Sequence, residues 1–210
     1  FFFWLFLIFV FFFLFFFLFL VFFFYFFWVF LFFLGGGAGW HQPEFDGFSN
    51  WGTPGQRVTR TSEALELITR LWTGEKVSFE GKAYNSDGAI ISPVPTQKPF
   101  PPMWFGVRGT RMLDLAARYA DAWIPTNISP ELYEDGLKKL REKRSELGIN
   151  TSLKGALQNF DVYTESEPCV ATINSYAAAG CEYYGSIWSY PPDEMVSRIK
   201  WFSKEVMPNV

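Results

Sequence analysis

The residue types best suited to chemistry stand in Gly106-Val107-Arg108-Gly109-Thr110. Two glycines let backbone N–H groups come close to a phosphate, and an arginine at a helix start adds positive potential to that of the helix dipole. A plain tight turn would use the same glycines. A second segment, Gly35-Gly36-Gly37-Ala38-Gly39-Trp40-His41, would let a flat ring lie against bare backbone, or serve as a flexible linker. Its spacing is not the GxGxxG of a dinucleotide turn, because Gln42 holds the last glycine position. Trp40 and His41 have the chemistry to stack on such a ring or polarise it, and equally that of ordinary surface residues.

Other chemistries find little support. Glu44 and Asp46 are paired only in sequence and read as loop charges. The chain has no GxSxG, no P-loop and no Cys-His pairing, so nucleophilic catalysis has no carrier. His41 is the sole histidine, and Cys169 and Cys181 form no CxxC, so no metal site is expected and a reduced, cytosolic protein is. The formal net charge of -3 comes without clustered cations, which gives no reason to expect a nucleic-acid partner. The densest basic run, Lys138 to Arg144, alternates with Leu140 and Glu142 as the solvated face of a helix would.

The elements that must position these loops alternate regularly after residue 35. Thr53-Pro54-Gly55-Gln56 offers a capping box and a proline at the first helical position, and Val58, Leu65, Ile68 and Trp72 keep one apolar face until Gly74. Lys76–Glu80 and Ala89–Ser92 read as a hairpin, followed by a proline-rich connection. Strands are then expected at Met103–Phe105, Ala122–Pro125, Ala156–Tyr163 and Tyr183–Trp188. Helices are expected at Thr110–Tyr119, from Ser129-Pro130 to Gly148, from Ser166 through Ala179, and at Pro192–Met207. In the last, Met195, Ile199, Phe202 and Val206 make one buried stripe. With a strand ending near Gly37, this is an α/β chain of about five βα units, the C-terminal part of a TIM-type barrel. Three of the eight units are then missing at the N-terminus.

Residues 1–34 stand where those units would be. They hold 20 of the 27 phenylalanines and no charge, glycine, proline, serine or asparagine. As one helix the tract would be about 51 Å long against a hydrocarbon core of about 30 Å, and it lacks the basic flanks that orient a span. Phe, Leu, Val and Ile make up 31 of its 34 residues, and all four have T at the second codon position, so a T-rich DNA tract translated in frame would look like this. A truncated or misassembled gene, an apolar membrane anchor and a buried segment all stay open. A half-barrel with exposed strand edges is expected to be a homo-oligomer if folded.

Four strings, GAGWHQPEF (Gly37 to Phe45), RVTRTSEALELITRLWTGEKVSFEGKAY (Arg57 to Tyr84), SPVPTQKPFPPMWFG (Ser92 to Gly106) and LAARYADAWIP (Leu115 to Pro125), in this order and spacing, resemble the bacterial-luciferase-like monooxygenase family. The resemblance covers residues 35–210 and none of residues 1–34. Its relevant branch holds flavin-dependent monooxygenases and deazaflavin-dependent reductases, among them enzymes similar to methylenetetrahydromethanopterin reductase. It implies a barrel holding FMN or a deazaflavin at its C-terminal strand ends, a small-molecule substrate, and a cytoplasmic location, or a membrane-anchored one if the Phe-rich segment is genuine. By the same resemblance Gly37, Gly39 and Trp40 match the strand end beside the ring or its tail, and Gly106, Arg108, Gly109 and Thr110 match the phosphate turn. Such families usually show Gly-Gly where this chain has Gly106-Val107. Their residues at the reactive edge of the ring come largely from the first strands, so no catalytic residue is assigned. The function implied is oxidoreduction by an incomplete copy. The alternatives are a membrane-anchored, non-enzymatic half-barrel or a sequence artefact with no functional product.

Overall fold

The computed structural model describes residues 32–160 and 165–210. The expectations that fall on residues 1–31, the membrane anchor among them, lie outside the described residues, as does the end of the strand expected to reach Tyr163. Among the described residues no helix is long and apolar enough to cross a membrane. The chain divides into Phe1–Phe32 and Phe33–Val210, and the architecture below is that of the second unit.

Five parallel strands form one sheet in the order β1 (Leu34–Gly36), β4 (Met103–Phe105), β5 (Ala122–Trp123), β6 (Lys154–Phe160), β7 (Tyr183–Ile187). Each is followed by a helix: α1 (Gln42–Phe45) and α2 (Pro54–Leu71), then α3 (Thr110–Tyr119), α4 (Pro130–Glu146), α5 (Ser166–Ala178) and α6 (Pro192–Trp201). The antiparallel hairpin β2 (Val77–Glu80) and β3 (Asn85–Ala89) lies between α2 and β4. These are the five βα units expected, in sequential spatial order, and they constitute part of a TIM-type barrel. The sheet begins inside the apolar tract, since Leu34 registers with Met103 and Phe33 packs edge-on against Trp104 at 5.3 Å.

The alternation of side chains sorts each strand into an inner and an outer face. Met103, Phe105, Trp123 and Leu157 point outward and are at most 2% exposed, packed under α3, α4 and α5 against Leu115, Tyr133, Leu137 and Leu140. Trp104, Ala122 and Lys154 share the inner face through their register, as do Ala156 and Tyr183. Along a flat sheet β4 and β7 would be three strand spacings, roughly 14 Å, apart. The rings of Trp104 and Tyr183 are 5.3 Å apart, which requires the sheet to curl inward as a barrel wall does.

Several local expectations differ from what is found. The second hairpin strand is Asn85–Ala89 and not Ala89–Ser92, because Ser86 Oγ and the Glu80–Asn85 pairing fix the register earlier in the chain. The last helix is α-helical only to Trp201 and continues as a π turn, Phe202–Val206. Its expected stripe is not buried throughout: Val206 is fully buried but Ile199 is 52% exposed. The basic run is not all solvated either. Arg144 is 4% exposed and donates to the carbonyls of Ala117, Ala120 and Thr151, closing the C-terminal end of α3.

Candidate functional site

The C-terminal edge of the sheet is built from the loops that follow each strand. The ladder between β1 and β4 runs one residue past the strands, where Gly106 N–H donates to Gly36 O at 3.1 Å. A Cβ on Gly37 would stand 3.6 Å from Gly106 O, so the two glycine segments singled out by sequence meet here. From Gly106 the chain turns through Val107 and Arg108 into α3, whose N-cap is Gly109. Glycine has no capping side chain, and among the described residues the N–H groups of Thr110 and Arg111 have no protein acceptor, while Met112 and Leu113 both donate back to Gly109 O. A Cβ built on Gly109 meets nothing within 4 Å, so this helix start opens on free space. Unpaired first-turn N–H groups facing an open space are what a phosphate requires.

The turn is braced from two sides. From inside, Trp123 Nε1 donates to Val107 O at 2.8 Å, and the indole stacks on Tyr133 at 5.4 Å. Gly136 in α4 makes room for it, since a Cβ there would come within 2.5 Å of the indole edge. From outside, Arg108 Nη2 donates to Asn127 O at 2.7 Å. Asn127 has φ +49, the only non-glycine residue with positive φ among those described, and its N–H donates to Gln158 O at 3.3 Å. Asparagine is one of the few residues that takes this conformation at low cost. Arg108 is therefore anchored to the loop after β5 while the rest of its side chain stays exposed.

The inner wall is plugged at one end and open at the other. Phe33, Trp104, Tyr183 and Lys154 crowd the N-terminal end, and Lys154 Nζ donates to Tyr183 Oη at 3.2 Å, which holds the ammonium above its usual range. Toward the C-terminal end the registered inner-face pair is small and polar, Gly185 with Gln158.

The remaining expected residues sit farther out. Trp40 is 82% exposed and tilts over His41 at 5.0 Å. Gly39 has φ +79, and a Cβ on it would overlap the Phe45 ring, so the path of the loop alone already requires glycine. Among the described residues no cluster of His, Cys, Asp or Glu could hold a metal ion. Sequence reasoning missed Asn127, Trp123 and Gly136 as holders of the turn, although Trp123 lies in one of the strings that carry the family resemblance; the one signal for Asn127 was an asparagine in the loop between a strand and the next helix.

The sequence profile of the luciferase-like monooxygenases matches residues 32–206. An F420-dependent glucose-6-phosphate dehydrogenase of Nakamurella multipartita is 38% identical over 113 residues, which are 50% of this chain and 33% of that protein. The chain thus spans about a third of the length of that relative. Among solved structures, an F420-dependent secondary alcohol dehydrogenase in complex with an F420-acetone adduct superposes with a TM-score of 0.67 at 19% identity, over 85% of this chain and 68% of its own. A monooxygenase from Streptomyces bottropensis gives 0.65 at 16% identity, over 83% and 67%. At those identities the superpositions establish the barrel fold, while the profile, which spans nearly all of the described chain, establishes the family. This chain belongs to the luciferase-like monooxygenase family.

Proposed function

We propose that the chain forms the phosphate-binding side of a luciferase-like oxidoreductase that uses FMN or a deazaflavin to act on a small molecule. The observation that carries this is the start of α3, where Thr110 and Arg111 N–H groups stand unpaired beside the anchored Arg108. In this reading Gly106, Arg108, Gly109 and Thr110 hold the phosphate. Gly37, Gly39 and Trp40 border the ring, which rests above Gly35 and Gly185. Trp123 and Asn127 hold the turn still. The cofactor supplies hydride transfer or the reaction of its reduced form with oxygen; the protein binds and orients it. No residue of this chain is given the role of acid, base or nucleophile.

The reading treats the Phe-rich tract before Phe33 as separate from the barrel domain, which takes in Phe33 and Leu34, and places the protein in the cytoplasm. It also expects a homo-oligomer, in support of which β1 and β7 are the sheet's edges among the described residues and Val196 and Ile199 on α6 are exposed.

Titration of the purified chain with FMN and with a deazaflavin, followed by fluorescence quenching, tests the reading. Binding of either is expected, and Gly109→Leu, whose side chain would enter the open space, should weaken it at least tenfold with little change in melting temperature. No affinity for either compound at millimolar concentration would overturn it.

A further inference from the structure

Among the residues that face the barrel interior, Gln158 combines a fixed backbone with an uncommitted side chain. Trp104, Ala122 and Lys154 share the inner face through their register. Counting in twos along the chain, and across the ladder to β7, places Ile124, Thr126, Gln158, Gly185 and Ile187 on the same face toward the C-terminal end. Gln158 stands between Thr126, its partner in an isolated parallel bridge, and Gly185, its registered neighbour on β7. Gly185 offers no side chain at this level, and Gln158 is exposed.

The backbone here is held on both sides. Gln158 N–H donates to Pro125 O at 3.0 Å, and Gln158 O accepts from Asn127 N–H at 3.3 Å. Asn127 is also the residue whose carbonyl receives Arg108, so one short loop joins the candidate phosphate turn to this point of the inner wall. The side-chain amide, by contrast, makes no hydrogen bond among the described residues. A primary amide carries N–H donors and a carbonyl acceptor together, and can meet either a hydroxyl or a carbonyl group of a ligand.

The charges nearby narrow the choice of ligand. Ile124, Thr126, Gln158, Gly185 and Ile187 are all uncharged. The charge on this face belongs to Lys154, four residues down β6 and roughly 13 Å away at the rise of a strand, with its ammonium turned to Tyr183 Oη. An ionised group set against this stretch of wall would leave water with no opposite charge to receive it, a cost that a neutral group avoids. We propose that Gln158 selects the substrate, its amide receiving the hydroxyl or carbonyl group of an uncharged alcohol or ketone. The proposal rests on the cofactor reading above, in which the ring lies over Gly35 and Gly185. A group held by the amide of Gln158 then stands next to that ring.

The test uses the purified full chain loaded with whichever cofactor binds, FMN or the deazaflavin, and three probes that share one ring: cyclohexanol, cyclohexanone and cyclohexyl phosphate. Saturation-transfer NMR titration reads the binding. Both neutral probes should bind, and more tightly than the phosphate. Gln158→Leu should weaken both neutral probes about fivefold to tenfold, the loss of one hydrogen bond. Gln158→Glu should keep cyclohexanol, whose hydroxyl donates to a carboxylate, and lose cyclohexanone, which needs a donor. A merely structural role for Gln158 would not separate these two probes. Melting curves and cofactor titrations of each variant distinguish a folding defect from a lost contact. Absence of binding by both neutral probes, tighter binding of cyclohexyl phosphate than of cyclohexanol, or unchanged binding of both neutral probes in the two variants overturns the proposal while the cofactor reading stands. A chain that binds neither cofactor overturns both.

Discussion

The indole Nε1–H of Trp123 donates to the carbonyl of Val107 across 2.8 Å in the interior, tying the strand below the candidate site to the turn that forms it. The bond fixes a loop whose outer residues are all exposed, so the stiffness of the proposed phosphate turn comes from a residue of the core. Trp123→Phe keeps a ring against Tyr133 but leaves Val107 O without its donor. A loss of about 1–3 kcal/mol is expected from the unsatisfied carbonyl, read by thermal or denaturant unfolding. Cofactor affinity should fall with it. An unchanged affinity in a destabilised variant would show that the turn is held without this bond.

Asn127 acts on the same turn from outside, through the carbonyl that receives Arg108. Its left-handed conformation decides what can replace it. Asn127→Gly should keep the carbonyl in place, with stability and cofactor affinity close to those of the natural chain. Asn127→Val should cost about 1–2 kcal/mol because a β-branched side chain resists φ +49, and should weaken binding by releasing Arg108. Paired melting curves and titrations check this, and identical behaviour of the two variants would remove Asn127 from any positioning role.

The parts of this structure legible in the sequence are those fixed by short-range chemistry. Thr53 and Gln56 form the capping box their spacing announces, and Thr110–Tyr119 begins and ends where the glycine and the apolar face require. The glycine turn at Gly106 lies where a strand meets a helix, as its composition implies. What stayed hidden depends on residues brought together from a distance. Arg144 lies in a basic run but is buried by carbonyls 24 and 27 positions away, and Arg60, Lys82 and Arg111 gather only once α2, the hairpin and α3 are packed. The break in the stripe at Ile199 has the same origin, because a helix pattern reports which side is apolar and not whether a partner covers it.

Glu63 gives the hairpin a pH dependence. Its carboxylate accepts from the N–H groups of Ala83, Lys82 and Tyr84, which holds it below the usual carboxylate range. A carboxyl with a lowered folded-state pKa contributes stability at neutral pH and loses it as the pH falls through that lowered value. Acidification below the ordinary carboxylate range should therefore speed hydrogen exchange at Lys82, Ala83 and Tyr84 ahead of the sheet. Glu63→Ala, which removes both acceptor oxygens, should show fast exchange at all three already at neutral pH, with no further change on acidification. Equal protection in both proteins across this window would mean that the hairpin is held on α2 by apolar contact alone.

Arg144 carries the largest expected effect on stability. The residue is 4% exposed, and its guanidinium donates to Ala117 O at 3.1 Å, Ala120 O at 2.7 Å, Thr151 O at 3.1 Å and Thr151 Oγ1 at 2.5 Å. Two of these acceptors are end carbonyls of α3, whose N-terminus is the candidate phosphate turn, so one side chain closes the helix at the opposite end from the candidate site. Arg144→Met fills much the same space but leaves those buried carbonyls unpaired. A loss of about 3 kcal/mol or more is expected, since each hydrogen bond to a charged group contributes about 1.5–3 kcal/mol. For a chain of this size that lowers the melting temperature by roughly 6–12 °C. Arg144→Lys should fall between, because an ammonium cannot fork to α3 and Thr151 together. Lys138→Gln, on the exposed side of α4, should stay within about 0.5 kcal/mol of the natural chain. Denaturant unfolding of the three variants orders them, and an Arg144→Met protein as stable as Lys138→Gln would show that solvent reaches those carbonyls after all.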